Sequence, residues 1–297
     1  MRTSLDCIPC FVRQTLEAAR FFTDDPVVHE RILREVLRST ADMDLAQCPP
    51  VVAQQMHRRL REFAGVDDPY RAAKDTFNRM ALDMLPEFAE QVRNSSDPLA
   101  LALRLAIAGN VIDLGVNGGL TEEQARRAVA GAVDEPFHGD VEDFRQAVVS
   151  ADNILYLADN AGEIVFDRLL IEQLPTERVT LVVRGGPILN DAIMADAEVA
   201  GLCDLVETID NGSDAPGTVL DDCSESFQRR FAMADMIIAK GQGNFESMSD
   251  TPGNIYFLFK AKCQVIADHV GLPIGTHVAM RWQEPLPLAG GEHHAGI

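Results

Sequence analysis

Residues 154–167 read ILYLADNAGEIVFD, and this stretch decides the fold class. An apolar run of strand length, residues 154–158, ends in Asp159 and Asn160, and Gly162 then allows a tight turn into an apolar helix. A buried strand that leads at once into a helix is the unit from which parallel α/β sheets are built. The stretch therefore places a carboxylate and an amide at the carboxyl end of a strand, beside a helix N-terminus.

The same alternation of strand and helix continues towards the C-terminus. It predicts right-handed crossovers and a mostly parallel sheet, in which ligands bind outside the carboxyl ends of the strands. The predicted strands are Ile154–Ala158, Val179–Arg184, Leu205–Ile209, Met236–Ala239 and Ile255–Phe259, with a further strand at His277–Trp282.

The first half of the chain has a different pattern, with apolar residues at helical spacing in successive segments. Pro86 is expected to break the helix predicted over 69–92. We therefore divide the chain into a helical N-terminal domain, 1–148, an α/β domain, 149–282, and a flexible Pro- and Gly-rich tail, 283–297.

The composition limits the classes of partner. The net charge of -20 repels nucleic acid and anionic membranes, and it requires local cations if the ligand is a phosphate ester. No apolar run is long enough for a signal peptide or a membrane span, so we expect a cytoplasmic protein with reduced cysteines.

Three loops at predicted strand ends carry candidate chemistry. Oxygen ligands such as Asp159 and Asn160 suit Mg²⁺ or Mn²⁺, and the helix N-terminus at Gly162 offers N–H groups to a phosphate. In the alternative interpretation, Asp159 only caps the helix. Residues 182–197, VVRGGPILNDAIMADA, place Arg184 and Asp191 one strand further along. Two converging acids need a cation between them, or one takes a raised pKa; alternatively, Asp191 is an N-cap.

The third loop follows the strand that ends near Lys240. A lysine there can neutralise phosphoryl oxygens, and Gly241 and Gly243 permit a close approach of the backbone, with Asn244 in the same loop. The loop lacks the G-x-x-x-x-G-K-[ST] pattern of a Walker motif, and it can equally be a Gly-rich turn.

Two further motifs lie in the helical half. The segment AGNVID places Asn110 and Asp113 on one helical face, where they either reach over the sheet edge or form an interdomain hydrogen bond. Cys7 and Cys10 form a C-x-x-C pair to which Cys263 can add a third thiol. These cysteines are either a redox or metal site or buried structural residues.

The order of the motifs carries more information than any one of them. CIPC, AGNVID, LADNAGE, VVRGGPILNDA, DAPGT, IIAKGQGNFES and FLFKAKCQVIA follow one another as in the domain-of-unknown-function 89 family, which this chain resembles from Cys7 to about Gly275. Its members are called damage-control phosphatases or acidic-residue-methyltransferase-like proteins, and the C-x-x-C pair marks the microbial branch.

The resemblance implies a helical N-terminal portion packed on a Rossmann-like α/β/α portion and a phosphate monoester hydrolase that uses one divalent ion, Mn²⁺, Co²⁺, Ni²⁺ or Mg²⁺. It implies the metal ligands Asp159, Asn160 and Asp191, a phosphate-contacting Lys240, and a cleft lined by Asn110 and Asp113. The expected substrates are small phosphorylated metabolites, such as sugar phosphates or damaged cofactors. Besides Asn110 and Asp113, the candidate substrate-binding residues are Gly162, Glu163, Arg184, Gly241, Gly243 and Asn244.

From the charges we hypothesise that the cation activates a water, with one aspartate or Glu163 as the base, while a phospho-aspartyl intermediate is the competing chemistry. Lys240 and the backbone N–H groups of Gly162 and the 241–243 loop would stabilise the phosphoryl charge. Two other functions stay open, a non-catalytic sensor of a phosphorylated metabolite and a thiol-based redox or metal protein.

Overall fold

The structure, a computed structural model, describes residues 1–110 and 122–282. The part before the sheet is helical, as predicted. Several helices begin where a side chain caps them: Asp25 accepts from the backbone N–H of Val27 and Asp97 from that of Ala100, each just before a proline. The helices of this part are α1 (Cys7–Phe22), α2 (Pro26–Ala41), α3 (Pro49–Ala64), α4 (Arg71–Asn94), α5 (Pro98–Ala108) and α6 (Glu122–Ala132).

The remaining elements alternate between strand and helix, and the mixed α/β fold with a mostly parallel sheet is confirmed. The described strands form one sheet in the order β1-β7-β6-β5-β2-β3-β4, in which only the β6–β7 pair is antiparallel. The elements are β1 (Phe137–Gly139), α7 (Val141–Ser150), β2 (Ile154–Leu157), α8 (Glu163–Ile171), β3 (Val179–Val183), α9 (Met194–Val199), β4 (Glu207–Asp210), α10 (Glu225–Met233), β5 (Met236–Lys240), α11 (Gly241–Met248), β6 (Ile255–Lys260), α12 (Gln264–Val270) and β7 (His277–Arg281).

Helices cover both faces of this sheet, because alternate strand residues point to opposite sides. Tyr156 belongs to the core that α4, α5 and α8 form on one face. Leu155 and Leu157 pack on the other face against side chains of α10, α11 and α12. The central strands are therefore buried on both sides, and their side chains are open to a ligand only at the strand ends.

Three local expectations are corrected. Pro86 lies inside α4 and does not end it, because the neighbouring Met84 and Phe88 are fully buried and their packing outweighs one lost hydrogen bond. The Gly-rich stretch after Lys240 is the first turn of α11 and not a loop. Strand β1 was not predicted, since three residues show no clear periodicity.

The boundary at 148/149 stays a prediction, although the sheet already includes residues before it. The stretch 283–297, predicted to be a flexible tail, lies outside the described residues. Within the residues that the structure does describe, no helix combines the length and apolar character needed to cross a bilayer.

Helices α1–α3 lie over the carboxyl edge of the sheet, and Asp214 holds α3 there. Its carboxylate accepts hydrogen bonds from Gln54 Nε2 at 2.7 Å and Arg58 Nε at 2.9 Å, and it pairs with Arg61. Burial alone would raise the pKa of Asp214, but these donors outweigh it and lower the pKa. The contact leaves a cleft between the helices and the strand ends.

Candidate functional site

The loops after β2 and β3 meet directly. Asn160 and Asp191 form an isolated antiparallel bridge, and the backbone N–H of Ala192 donates to the Asp159 carbonyl at 2.7 Å. Asp159, Asn160 and Asp191 are each at most 8% exposed, and all three line the cleft. The predicted convergence of these side chains at neighbouring strand ends is therefore present.

Arg184 lies beneath the two aspartates and holds them. Its Nε donates to Asp191 Oδ2 at 2.7 Å, and its Nη2 is 3.7 Å from Asp159 Oδ1. Asn244 Oδ1 accepts from Arg184 Nη1 at 3.3 Å and from the hydroxyl of Thr218 at 2.8 Å. Arg184 and Asn244, which we predicted to bind substrate, do not line the cleft and instead support the aspartates from behind.

A buried network supports the other side of the loop. Glu163 Oε2 accepts from Asn110 Nδ2 at 2.6 Å and Asn160 Nδ2 at 3.1 Å, and its Oε1 accepts from Lys240 Nζ at 2.8 Å. The same two amides also donate to Asp159 Oδ2. Because both Glu163 oxygens are used, the suggestion that Glu163 acts as the base does not fit this geometry, and Glu163 orients the two amides instead.

Lys240 is fully buried and has three acceptors. Besides Glu163 it bonds to Asp167 and, at 2.8 Å, to the carbonyl of Ala106. Burial alone would lower the pKa of Lys240, but Asp167 and Glu163 together raise it. An ammonium has three donors. In this arrangement all three are used, so the phosphate contact that the resemblance implies for Lys240 would require it to give up one of these acceptors.

The glycines of the site allow neighbouring groups to lie close to the backbone. Gly162 has φ +78°, and its N–H donates to Asn78 Oδ1 at 2.7 Å, so this N–H is not available to a ligand as we had expected. Gly241 has φ +79°, and a Cβ there would overlap the Asp159 carboxylate. Gly243 packs against the carbonyl of Pro216 and lines the cleft. Asp159 thus lies against the N-terminus of α11, whose dipole favours a negative charge.

Asn110 is 4% exposed and reaches the sheet edge, as its hydrogen bonds to Asp159 and Glu163 show. Its partner in the AGNVID motif, Asp113, lies outside the described residues.

The charges at this edge favour a cation. Burial, followed by the nearby carboxylates of Glu163 and Asp191, raises the pKa of Asp159 well above its usual range. A divalent ion between Asp159 and Asp191 would relieve this repulsion, and two carboxylates with an amide oxygen are a donor set for Mg²⁺ or Mn²⁺. In residues 1–110 and 122–282, no three His, Cys, Asp or Glu side chains form a metal-binding group, so the Asn160 amide and water would complete the coordination.

The three cysteines line the same cleft, which has a volume of about 600 Å³. Cys7 and Cys10 lie on α1, and Cys263 follows β6. Burial is the largest cause that raises the pKa of the Cys7 and Cys10 thiols, with smaller contributions from Glu246 and Cys263. The clustering that we suggested is present, but among the described side chains these thiols do not form a metal-binding group.

Sequence reasoning missed Lys262 and Asp167. Lys262 follows β6, which runs parallel to β5, so it lies at the same sheet edge; it lines the cleft, and its charge lowers the pKa of Asp159. The signal was a lysine directly after a predicted strand. Asp167 lies one helical turn after Glu163 on an otherwise apolar helix, where a second acid requires a buried partner.

Comparisons with known proteins found relatives over almost the whole chain. Residues 3–278 match the damage-control phosphatase ARMT1-like domain. The chain is 35% identical to a damage-control phosphatase of Archaeoglobus fulgidus, over 94% of this chain and 99% of that one. It is 33% identical to a damage-control phosphatase of Pyrococcus horikoshii, over 95% and 98%. An uncharacterised protein of Methanocaldococcus jannaschii is also 33% identical, over 93% and 94%.

A crystal structure of a DUF89 family protein from Pyrococcus horikoshii has the same fold. It superposes with a TM-score of 0.86 at 32% sequence identity, and the match covers 95% of this chain and all of that one.

Proposed function

Because the chain belongs to the damage-control phosphatase ARMT1-like family, which is also known as DUF89, we propose that it is a metal-dependent phosphatase that hydrolyses phosphate monoesters of small metabolites. The observation that carries the proposal is the meeting of Asp159, Asn160 and Asp191 at one end of a cleft. Two buried carboxylates at this point need a cation between them, and a cation there can activate a phosphate ester.

In this proposal, Asp159, Asn160 and Asp191 hold one divalent ion, Mn²⁺, Co²⁺, Ni²⁺ or Mg²⁺. The ion, when bound, polarises the phosphoryl group and makes a coordinated water acidic. Arg184 keeps the carboxylates in place through a hydrogen bond to Asp191 and an ion pair with Asp159 at 3.7 Å. Glu163 orients the amide of Asn160 so that its oxygen faces away from Glu163, because the Nδ2–H group of Asn160 donates a hydrogen bond to that carboxylate.

Lys262 supplies the positive charge that the net charge of the chain makes necessary. It lines the cleft near Asp159 and is therefore placed to neutralise phosphoryl oxygens as a point charge. The face of the cleft opposite the strand ends is made of residues from helices α1, α3 and α4.

The experiment is phosphate release from p-nitrophenyl phosphate with and without added Mn²⁺. We expect activity that depends on the metal, and at least a 1,000-fold loss of kcat/KM in Asp159→Ala. Asp152→Ala, at the opposite end of the same strand, has an 86% exposed side chain and is the matched control. Retention of near-full activity in Asp159→Ala would refute the assignment of the site.

The same assay separates the enzyme from a sensor. Saturable binding of a phosphate ester with no release of phosphate under any of the four metals would favour the non-catalytic alternative.

A further inference from the structure

The two sides of the cleft differ in polarity. The side formed by the strand ends is polar, with Asp159, Asp191 and Lys262 among its residues. The side formed by the helices is largely apolar. Its apolar members come from α1, α3, α4 and the residue before α4, and they include Phe11, Pro50, Ala53, Tyr70, Ala73 and Phe77.

The apolar surface continues almost to the aspartates. Leu189 also lines the cleft, two residues before Asp191, and its side chain packs with Tyr70 and the core of α1 and α2. Leu189 has φ +46°, which puts a leucine in the left-handed region. Such backbone strain costs about 1–3 kcal/mol and is found mostly where a site requires it. Here it turns an apolar side chain towards the helices, directly beside the residues that would hold the cation.

The size of the cleft exceeds what a phosphate needs. A volume of about 600 Å³ is within the range of pockets that enclose molecules much larger than a phosphate ion. Hydroxyl groups turned towards Pro50, Ala53 or Phe77 would lose water without gaining a hydrogen bond, which costs free energy for each group. Apolar groups in the same place have no hydrogen bonds to water to lose, and their burial is favourable in free energy.

We propose that the alcohol part of the substrate carries an apolar ring or chain that lies against the helical side of the cleft, and not a polyhydroxylated sugar. The inference rests on the proposed phosphatase function and makes its substrate class narrower. The helical side also has polar residues, Asp6, Arg13, Gln14 and Glu17, which can bond the polar substituents of such a molecule. The substrate class is therefore a phosphate monoester with an apolar body and few hydroxyl groups.

The test compares two esters of the same shape. Cyclohexylmethyl phosphate and glucose 6-phosphate both join a six-membered ring to the phosphate through one CH₂–O linkage, so they differ mainly in the oxygens of the ring. We expect kcat/KM to be at least about tenfold higher for cyclohexylmethyl phosphate. Equal values, or a preference for glucose 6-phosphate, would overturn the inference and leave the phosphatase function intact.

A complete lack of hydrolysis would separate the proposed phosphatase function from the proposed substrate class. If neither these esters nor p-nitrophenyl phosphate is hydrolysed with any of the four metals, the proposed function fails. The Kd values of the two ring esters, measured by calorimetry, then decide the inference by themselves: tenfold tighter binding of cyclohexylmethyl phosphate supports it, and equal binding overturns it.

A pair of variants locates the effect in the cleft. Ala73 lines the cleft on α4, whereas the adjacent Ala72 is exposed on the same helix and does not line it. In Ala73→Leu we expect kcat/KM for cyclohexylmethyl phosphate to fall about tenfold more than kcat/KM for methyl phosphate, which lacks the ring. Ala72→Leu, the control, should have the kinetic constants of the parent protein with both esters. If Ala73→Leu lowers kcat/KM equally for both esters, or for neither, the apolar body does not lie where we infer.

Discussion

The ammonium of Lys240 lies 2.8 Å from Glu163 Oε1, and both side chains are at most 2% exposed. The two residues are 77 positions apart in the chain, and their contact joins the end of β5 to the start of α8. Since Glu163 also accepts from Asn160, this ion pair is linked to a proposed metal ligand by a single hydrogen bond. The role of Lys240 in this structure is therefore to pair with Glu163 and hold it in place.

Removal of the Lys240 charge should destabilise the fold. In Lys240→Met, Glu163 and Asp167 remain buried without their cation, so we expect the free energy of unfolding to fall by about 3–5 kcal/mol. Urea denaturation measures this change. If Lys240 instead contacts the phosphate, stability would barely change and only KM would rise.

Gly241→Ala should weaken metal binding. The new Cβ would overlap the Asp159 carboxylate and would also sit at a positive φ. We expect the Kd for Mn²⁺, measured by calorimetry, to rise at least about tenfold, because ligands must keep their geometry to bind. Gly131→Ala on α6, where nothing lies within 4 Å of the added carbon, is the control and should bind Mn²⁺ as the parent does.

Lys262→Ala should act on the substrate more than on the fold. We expect KM for p-nitrophenyl phosphate to rise about tenfold and the free energy of unfolding to change by less than about 1 kcal/mol, since the side chain is exposed at the cleft. The control is Lys260→Ala, whose ammonium pairs with Glu135 at 2.5 Å and does not line the cleft. An unchanged KM in Lys262→Ala would remove Lys262 from the site.

The stability of the protein should depend on pH through Glu246. Burial raises the pKa of Glu246 from 4.5 to about 7. A carboxyl group with a higher pKa in the folded state adds stability that is fully present below pH 4.5 and is lost as the pH rises through 7. Relative to Glu246→Gln, the parent should therefore lose about 1–2 kcal/mol of unfolding free energy between pH 4.5 and 8, after allowance for partial solvent access.

Denaturation at several pH values measures this difference. Glu225→Gln, at a 92% exposed carboxylate on α10, controls for the loss of one acid. A constant difference between the parent and Glu246→Gln over that pH range would contradict the prediction.

The cysteines of the cleft should react slowly. Burial raises the pKa of Cys7 and Cys10, so little thiolate is present at pH 7, and we expect iodoacetamide to alkylate the exposed Cys203 first. Mass spectrometry of digested protein gives the order. We also expect Cys7→Ser to retain the metal content of the parent; loss of one metal equivalent would instead support the thiol-based alternative.

Local chemistry accounts for what could be predicted. The alternation of buried strands and helices and the position of Asp159 and Asp191 at strand ends depend on residues close together in the chain. Since parallel strands end at one edge, two acids on successive strands had to come near each other.

The features that could not be predicted depend on packing between residues far apart in the chain. Whether Lys240 faces a ligand or the interior depends on Glu163 and Asp167, which precede it by more than 70 residues. The continuation of α4 through Pro86 and the antiparallel pairing of β7 likewise depend on contacts with residues distant in the chain, which a local sequence pattern does not reveal. The sequence by itself determined which oxygens gather at the sheet edge, because strand ends are set locally. The tertiary structure alone decided which charged side chains face the cleft, because each buried charge must lie where a distant partner can neutralise it.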